Sequence, residues 1–201
     1  MIIAAVICLI AGVTCGQLFF SPKTVEYFAN LSDYALILLM FSVGISVGEN
    51  KLLFRKMREY NVKILVIPAG IVAGSLLGGI AGSFALGMPM RESLCIAAGM
   101  GWYSLSGVLL TDLISAEIGT IAFLSNILRE ILTFLLIPVL AKCLNGYTAI
   151  APAGATSSDT SLSILMKYTD EEVAMMGIIN GVLCTSVIPL LINFIYGLFS
   201  V

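Results

Sequence analysis

The sequence predicts an all-α, polytopic membrane protein with about six to seven transmembrane segments, some of them discontinuous or re-entrant. Three observations predict it. Of 201 residues, 59% are hydrophobic and only 11% are charged, whereas a soluble domain carries about 25% charge. Mean hydropathy is +1.06. Apolar runs suited to a hydrocarbon core about 30 Å thick recur along the chain, and two of them are interrupted by Gly, Pro, Ser and Thr. The same composition excludes a soluble enzyme and a disordered tail. It also excludes a nucleic-acid binder, since ten Lys and Arg face twelve Asp and Glu. The chain has no His, which removes Ser–His and Cys–His nucleophiles, HExxH zinc sites and a histidine pH switch. No enzyme activity, cofactor or metal is expected, and residues 1–201 read as a single transmembrane domain.

The first run, Ile2–Phe20, is broken only by Gln17. It lacks the basic segment that opens a signal peptide, and Thr14 before Cys15 fits a lipoprotein cleavage site poorly, so it reads as a retained helix. The second run, Tyr34–Gly48, is shorter. The third, Ile64–Leu86, is rich in Gly and carries Pro68. The fourth, Glu92–Leu113, is less uniform, and the fifth, Glu117–Ala141, holds polar residues at its centre. The sixth, Tyr147–Tyr168, is interrupted by Pro152, Gly154 and a Thr/Ser/Asp cluster, and can either cross or re-enter. The last is Val173–Phe199, with Pro189 to kink it. Five Cys, at positions 8, 15, 95, 143 and 184, form no CxxC pair. They read as packing residues in or beside apolar runs, not as disulfide or metal ligands.

Positive charge orients the chain. The loop Glu49–Lys63 holds Lys51, Arg55, Lys56, Arg58 and Lys63, which places it in the cytoplasm. With seven simple crossings Lys167 is also inside, while Lys23, Arg91 and Lys142 are outside. The N-terminus is then inside and the C-terminus outside. Lys51–Tyr60 reads as a plain loop, the alternative being a short amphipathic helix on the membrane surface.

Charged side chains at the bilayer centre cost about 2.5–3.5 kcal/mol on insertion scales and mark function by default. The fifth run centres on Arg129 and Glu130. Asn126 and Glu130, four residues apart, share a helix face. Arg129 lies roughly 60° to the other side of Asn126 at about 100° per residue. All three must face protein or water, and the opposite arc of Leu128, Leu132 and Leu135 suits lipid or packing. The alternative is an ion pair that locks helices together, but neighbours in sequence pair poorly on one helix. A second site is the stretch from Ala153 to Thr160, where Thr156, Ser157, Ser158 and Asp159 follow Pro152 and Gly154. Irregular backbone at membrane depth is tolerated only inside protein or beside water, and transporters use such breaks to bind ions and polar solutes. In the fourth run Trp102 and Tyr103 sit mid-segment. They suit either a cation–π wall for an ammonium group or close packing beside Gly and Ser. Segments 97–107 and 152–162 look alike, each opening Ala-Gly and continuing with small residues. Inverted repeats would explain this, yet simple counting makes the two parallel.

At these residues the chain resembles the lysine exporter LysO family of bacterial inner-membrane proteins. The matching stretches are Gly101–Ser106, Asn126–Glu130 and Gly154–Leu162, in family order, within an apolar framework that matches from about Ile2 to the end. The resemblance implies export of L-lysine and its toxic analogue thialysine, driven by an ion gradient, with functional intramembrane acids at Glu130 and Asp159. It also implies a fold like that of cation:proton antiporters and anion transporters, with inverted repeats and discontinuous helices, in the bacterial cytoplasmic (inner) membrane. Two departures stand out. Many members are about half as long again, and some are split in two, so a homodimer or a small N-terminal-half membrane subunit is the implied partner beside the lipid bilayer. Ser163 stands where the family is expected to have Pro.

On this reading Arg129 meets the lysine carboxylate and Glu130 and Asp159 meet its ammonium groups. Asn126, Thr156, Ser157 and Ser158 complete a polar cage walled by Trp102 and Tyr103. The coupling ion is H+ by antiport, with Na+ as the alternative. A cation/proton antiporter and a non-transporting membrane subunit are the competing functions. Intramembrane proteolysis lacks a second catalytic Asp and any His.

Overall fold

A computed structural model describes residues 63–199 throughout and, nearer the N-terminus, residues 7, 10–12, 14–16, 18, 20, 24, 27, 31, 34, 38, 41, 42 and 45. The chain divides into two compact units, Met1–Ile45 and Ser46–Val201. In the first unit the described residues are helical apart from Phe20. Thr14 and Ser42 donate their hydroxyls to carbonyls on the preceding turn, Ile10 O and Leu38 O, both at 2.9 Å, which satisfies polar groups in an apolar helix. The stretch Lys51–Tyr60, read as a loop or an amphipathic helix, lies outside the described residues.

The second unit is helical in every described element. It comprises α1 (Lys63–Leu86), α2 (Met90–Ala97), α3 (Tyr103–Leu113), α4 (Ala116–Cys143), α5 (Gly146–Ile150), a 3-10 turn (Gly154–Ser158), α6 (Leu162–Tyr168) and α7 (Glu171–Leu198). Among the described residues three helices are long and apolar enough to cross a membrane, namely α1, α4 and α7. Start signals in the sequence set their beginnings. Ser115 caps α4 by accepting from Ile118 N, and Asp170 caps α7 by accepting from Val173 N at 2.8 Å, as short oxygen-bearing side chains do.

The fourth and sixth runs do not cross. At 1.5 Å per residue α2 reaches about 12 Å and α3 about 16 Å, each roughly half a bilayer core. Their neighbours fix their directions. Ile67 of α1 packs against the cluster containing Ile137 of α4, while Arg129 of α4 donates to Ser75 of α1 at 3.0 Å, so these two helices run antiparallel. Ser93 of α2 donates to Gly79 O of α1 and also lines Gly82, whereas Ala97 packs on Gly79. Hence α2 runs back along α1 from its C-terminal end towards mid-membrane. Then α3 returns along α4, with Ser106 beside Asn126 and Gly107 beside Gly119 and Phe123. The pair α2–α3 is therefore a re-entrant hairpin, entering from the face where α4 begins.

The pair α5–α6 repeats this from the other face. Ala149 and Ile150 of α5 and Leu165 of α6 join Ile137 and Val173 in one apolar cluster near the end of α4 and the start of α7, and Gly146 abuts Val173. At the opposite face the Arg91 guanidinium stacks 5.4 Å from the Tyr196 ring centre, at the far end of α7. Each hairpin is followed by a 28-residue helix. Two hairpins inserted from opposite faces remove the parallel-segment conflict that simple counting creates.

This topology moves Lys142. The end of α4 and both ends of the second hairpin share one face, so Lys142 and Lys167 lie together and Arg91 lies opposite. Grouping Lys142 with Lys167 on one face suits the positive-inside rule better than seven simple crossings do. In a cysteine-free background, Lys142→Cys and Lys167→Cys should be labelled by an impermeant thiol reagent from the same side, and Arg91→Cys from the other. Labelling of positions 91 and 142 from one side would restore simple crossings.

Candidate functional site

The two hairpin tips meet at the middle of α4. The first tip, Ala98–Trp102, turns through Met100 (φ 41°) and Gly101 (φ 98°), and the second through Gly154 (φ 56°). Two of these three positive-φ positions are Gly, which adopts that region without a Cβ clash. Ala155 N donates to Met100 O at 3.0 Å, joining tip to tip through backbone alone. At Gly154 a Cβ would run into Met100 O, so only Gly permits this approach.

Each tip is held by a buried amide on the long helix that follows its hairpin. Asn126 of α4 accepts from Gly101 N at 2.6 Å and donates to Ser106 Oγ at 3.2 Å. Asn180 of α7 donates to Gly154 O at 3.0 Å and to Ser157 Oγ at 2.9 Å. Asn180 did not stand out in the sequence reading. Its signal is a lone amide in an apolar span, beside Gly177 and Gly181. A Cβ on Gly177 would press on Leu165, and one on Gly181 would run into Ser158, so α7 packs directly on the second tip.

Arg129 holds the second tip as well. Its Nε donates to Pro152 O at 3.0 Å, its Nη1 reaches Ser75, and Thr133 Oγ1 donates to the same Pro152 carbonyl at 3.0 Å. Burying an Arg beside a carbonyl that its helix cannot satisfy resolves two polar groups at once. Ser75 and Thr133 are partners that the sequence left unmarked. A groove of about 590 Å3 opens on this side, between Gly70, Gly74 and Ser75 of α1 and Leu128, Leu132 and Leu136 of α4.

Glu130 faces away from that groove. It is 1% exposed, and among the described residues neither carboxylate oxygen has a hydrogen-bond partner. Its charge and that of Asp159 both act on Tyr103, and Thr160 lies beside it. Asp159 is exposed and accepts at Oδ1 from the backbone N–H and hydroxyl of Thr160. Tyr103, the first residue of α3, is half-buried and set edge-on to Phe123, with ring centres 5.5 Å apart. Trp102 is half-buried at the same helix start. The structure thus groups Glu130, Asp159, Thr160 and Tyr103.

The hydroxyls of 156–158 serve mainly the second tip. Thr156 donates to Ala153 O and pairs with Ser161, Ser157 donates to Gly154 O and Gly177 O, and Ser158 donates to Ala155 O. Among the described residues no group of three or more Cys, Asp or Glu is placed to hold a metal ion.

Opposed re-entrant hairpins around a buried acid form a multi-pass membrane protein of the kind that builds midplane sites from broken helices. The chain belongs to the family described as lysine exporter LysO, whose profile matches residues 6–196. It is 34% identical over 169 residues to the protein named Lysine exporter LysO from Escherichia coli (strain K12), a match covering 84% of this chain and 56% of that protein. It is 37% identical over 186 residues to one named Putative lysine exporter from Haemophilus influenzae (strain ATCC 51907 / DSM 11121 / KW20 / Rd), covering 92% of this chain and 93% of that protein. The chain therefore spans little more than half of the Escherichia coli relative and nearly all of the Haemophilus influenzae one. No solved structure matches it.

Proposed function

We propose that this chain exports L-lysine, and its analogue thialysine, across the bacterial inner membrane in exchange for protons, through the site between the hairpin tips. Glu130 carries the reading: a carboxylate 1% exposed and without a hydrogen-bond partner among the described residues, in a member of a family described as lysine exporters. An ionised carboxylate so placed is costly unless paired. The site is therefore complete only with a proton or a cation aboard.

Lysine supplies that cation. Glu130, Asp159 and Arg129 sum to a formal charge of −1 when all are ionised, against +1 on lysine. Glu130 takes one ammonium group and the exposed Asp159 meets the other, with the rings of Tyr103 and Trp102 as a wall for positive charge. Arg129 offsets the two acids while it holds Pro152. The substrate carboxylate falls to the N-terminal end of α3, the positive end of its dipole. Asn126, Thr156, Ser157 and Ser158 keep the tips in register. A proton on Glu130 and an ammonium beside it are mutually exclusive, which is the requirement for antiport. A second copy or a small membrane subunit is the proposed partner.

The test is counterflow. Vesicles holding the purified protein and unlabelled lysine should accumulate labelled lysine, and an imposed proton gradient should drive it uphill while a sodium gradient of equal size should not. Absence of lysine counterflow in folded protein would overturn the export reading. Uphill movement driven only by sodium would overturn the coupling ion.

A further inference from the structure

We propose that the Thr160 hydroxyl is a proton relay joining the buried Glu130 to the exposed Asp159. This deepens the proton-coupled export proposed above and rests on that reading. Three observations meet at this side chain. Thr160 Oγ1 donates to Asp159 Oδ1 at 3.3 Å, and the Thr160 backbone N–H holds the same oxygen, so acid and hydroxyl are fixed together at the tip. The Thr160 side chain also lies beside Glu130. Glu130, for its part, is buried with both oxygens unpartnered among the described residues, while Asp159 is exposed. One acid can hold a proton out of water, the other can exchange it with water, and a hydroxyl stands between them.

A hydroxyl both donates and accepts, so the transfer balances without another reactant. With Glu130 protonated, its O–H turns to Thr160 Oγ1. That O–H bond breaks as a new one forms at Thr160, while the original Thr160 proton passes to Asp159. Glu130 is left as a carboxylate, ready for an ammonium group. Asp159 becomes a carboxylic acid and releases its proton to water, and Thr160 ends as a neutral hydroxyl. Among the described residues the titratable and charged groups around Glu130 are Tyr103 from α3, Asp159 from the second tip and Arg129 beside it on α4, with Cys184 of α7 facing Arg129. Tyr103 also carries a hydroxyl, but only Thr160 is bonded to Asp159 among the described residues.

Thr160→Val keeps the side-chain shape and removes the hydroxyl, and Thr160→Ser restores it. In reconstituted vesicles two fluxes separate the roles. Lysine–lysine counterflow moves no net proton, whereas proton uptake coupled to lysine efflux requires the relay. Thr160→Val is expected to lose coupled proton flux at least about 100-fold, the low end of what one placed proton-transfer group contributes, and far more of it than of counterflow. Thr160→Ser should recover the flux and its pH profile. Unchanged coupled flux in Thr160→Val, with normal counterflow in the parent, would overturn the relay and leave the export reading standing. Loss of both fluxes in Thr160→Val without recovery in Thr160→Ser would overturn the relay too, since the residue would then serve folding. No counterflow in the parent would overturn both proposals.

Discussion

Glu130→Gln should reduce net lysine export at least about 100-fold, because removing one partner of a buried charge pair costs on the order of 3–5 kcal/mol and about 1.4 kcal/mol is a factor of ten. Gln matches Glu in size, so the packing between the tips survives and the loss reports on charge. The variant can neither carry a proton nor meet an ammonium group as a carboxylate. Coupled proton flux should vanish, and the pH dependence of export should vanish with it. The protein should still purify as a folded species with a parental thermal transition, since the parent's carboxylate makes no hydrogen bond with the described residues for the amide to replace. Parental export by Glu130→Gln would remove this residue from the site. Asp159→Asn should behave differently. Asp159 is exposed and its bonds run to Thr160, so a higher KM for lysine is expected together with loss of the coupled proton flux, since an amide cannot take up and release the relayed proton.

Gly154→Ala should be severely damaging for so small a substitution. Gly154 has φ 56°, and an added methyl would strike Met100 O and crowd Arg129 Nη2. Left-handed backbone costs a non-Gly residue roughly 1–2 kcal/mol, and overpacking adds about 1–3 kcal/mol. The tip cannot yield, because Gly154 O is already committed to Asn180 and the neighbouring Ala155 N to Met100 O. A lower thermal transition and loss of lysine counterflow are expected together. Gly197→Ala is the control: nothing lies within 4 Å of its added methyl, so stability should hold. A parental Tm for Gly154→Ala would show that the tips do not meet as described.

The long helices were legible because hydropathy and length suffice for them. Ile64–Leu86, Glu117–Ala141 and Val173–Phe199 are within two residues of α1, α4 and α7 at every boundary. One break was legible too, since Pro, Gly and hydroxyl residues at 152–160 cannot continue an apolar helix, whereas the fourth run read as a less uniform span and its break at 98–102 went unmarked. Neither run showed that it turns back. Hydropathy has magnitude but no direction, and α2 and α3 together are long enough to have crossed. Arg129 was visible as a charge in a span, yet its partners Ser75 and Pro152 lie 54 and 23 residues away, beyond any periodicity. Asn180 escaped for a related reason. One amide without a neighbouring acid draws no attention until the carbonyl it serves, Gly154 O, is brought to it by the fold.

The pairing of each tip with its own amide has a thermodynamic consequence. Turned over in the membrane, the order of hairpin, amide and 28-residue helix is the same, and differences lie three and four residues beyond each amide, where one copy has Arg129 and Glu130 and the other Leu183 and Cys184. Such a scaffold has no valve in it. By microscopic reversibility the same machinery must run in either direction at rates set by the solute and ion concentrations on its two sides. Net outward flow would then belong to the cell's gradient, and a vesicle with that gradient inverted should fill with the substrate.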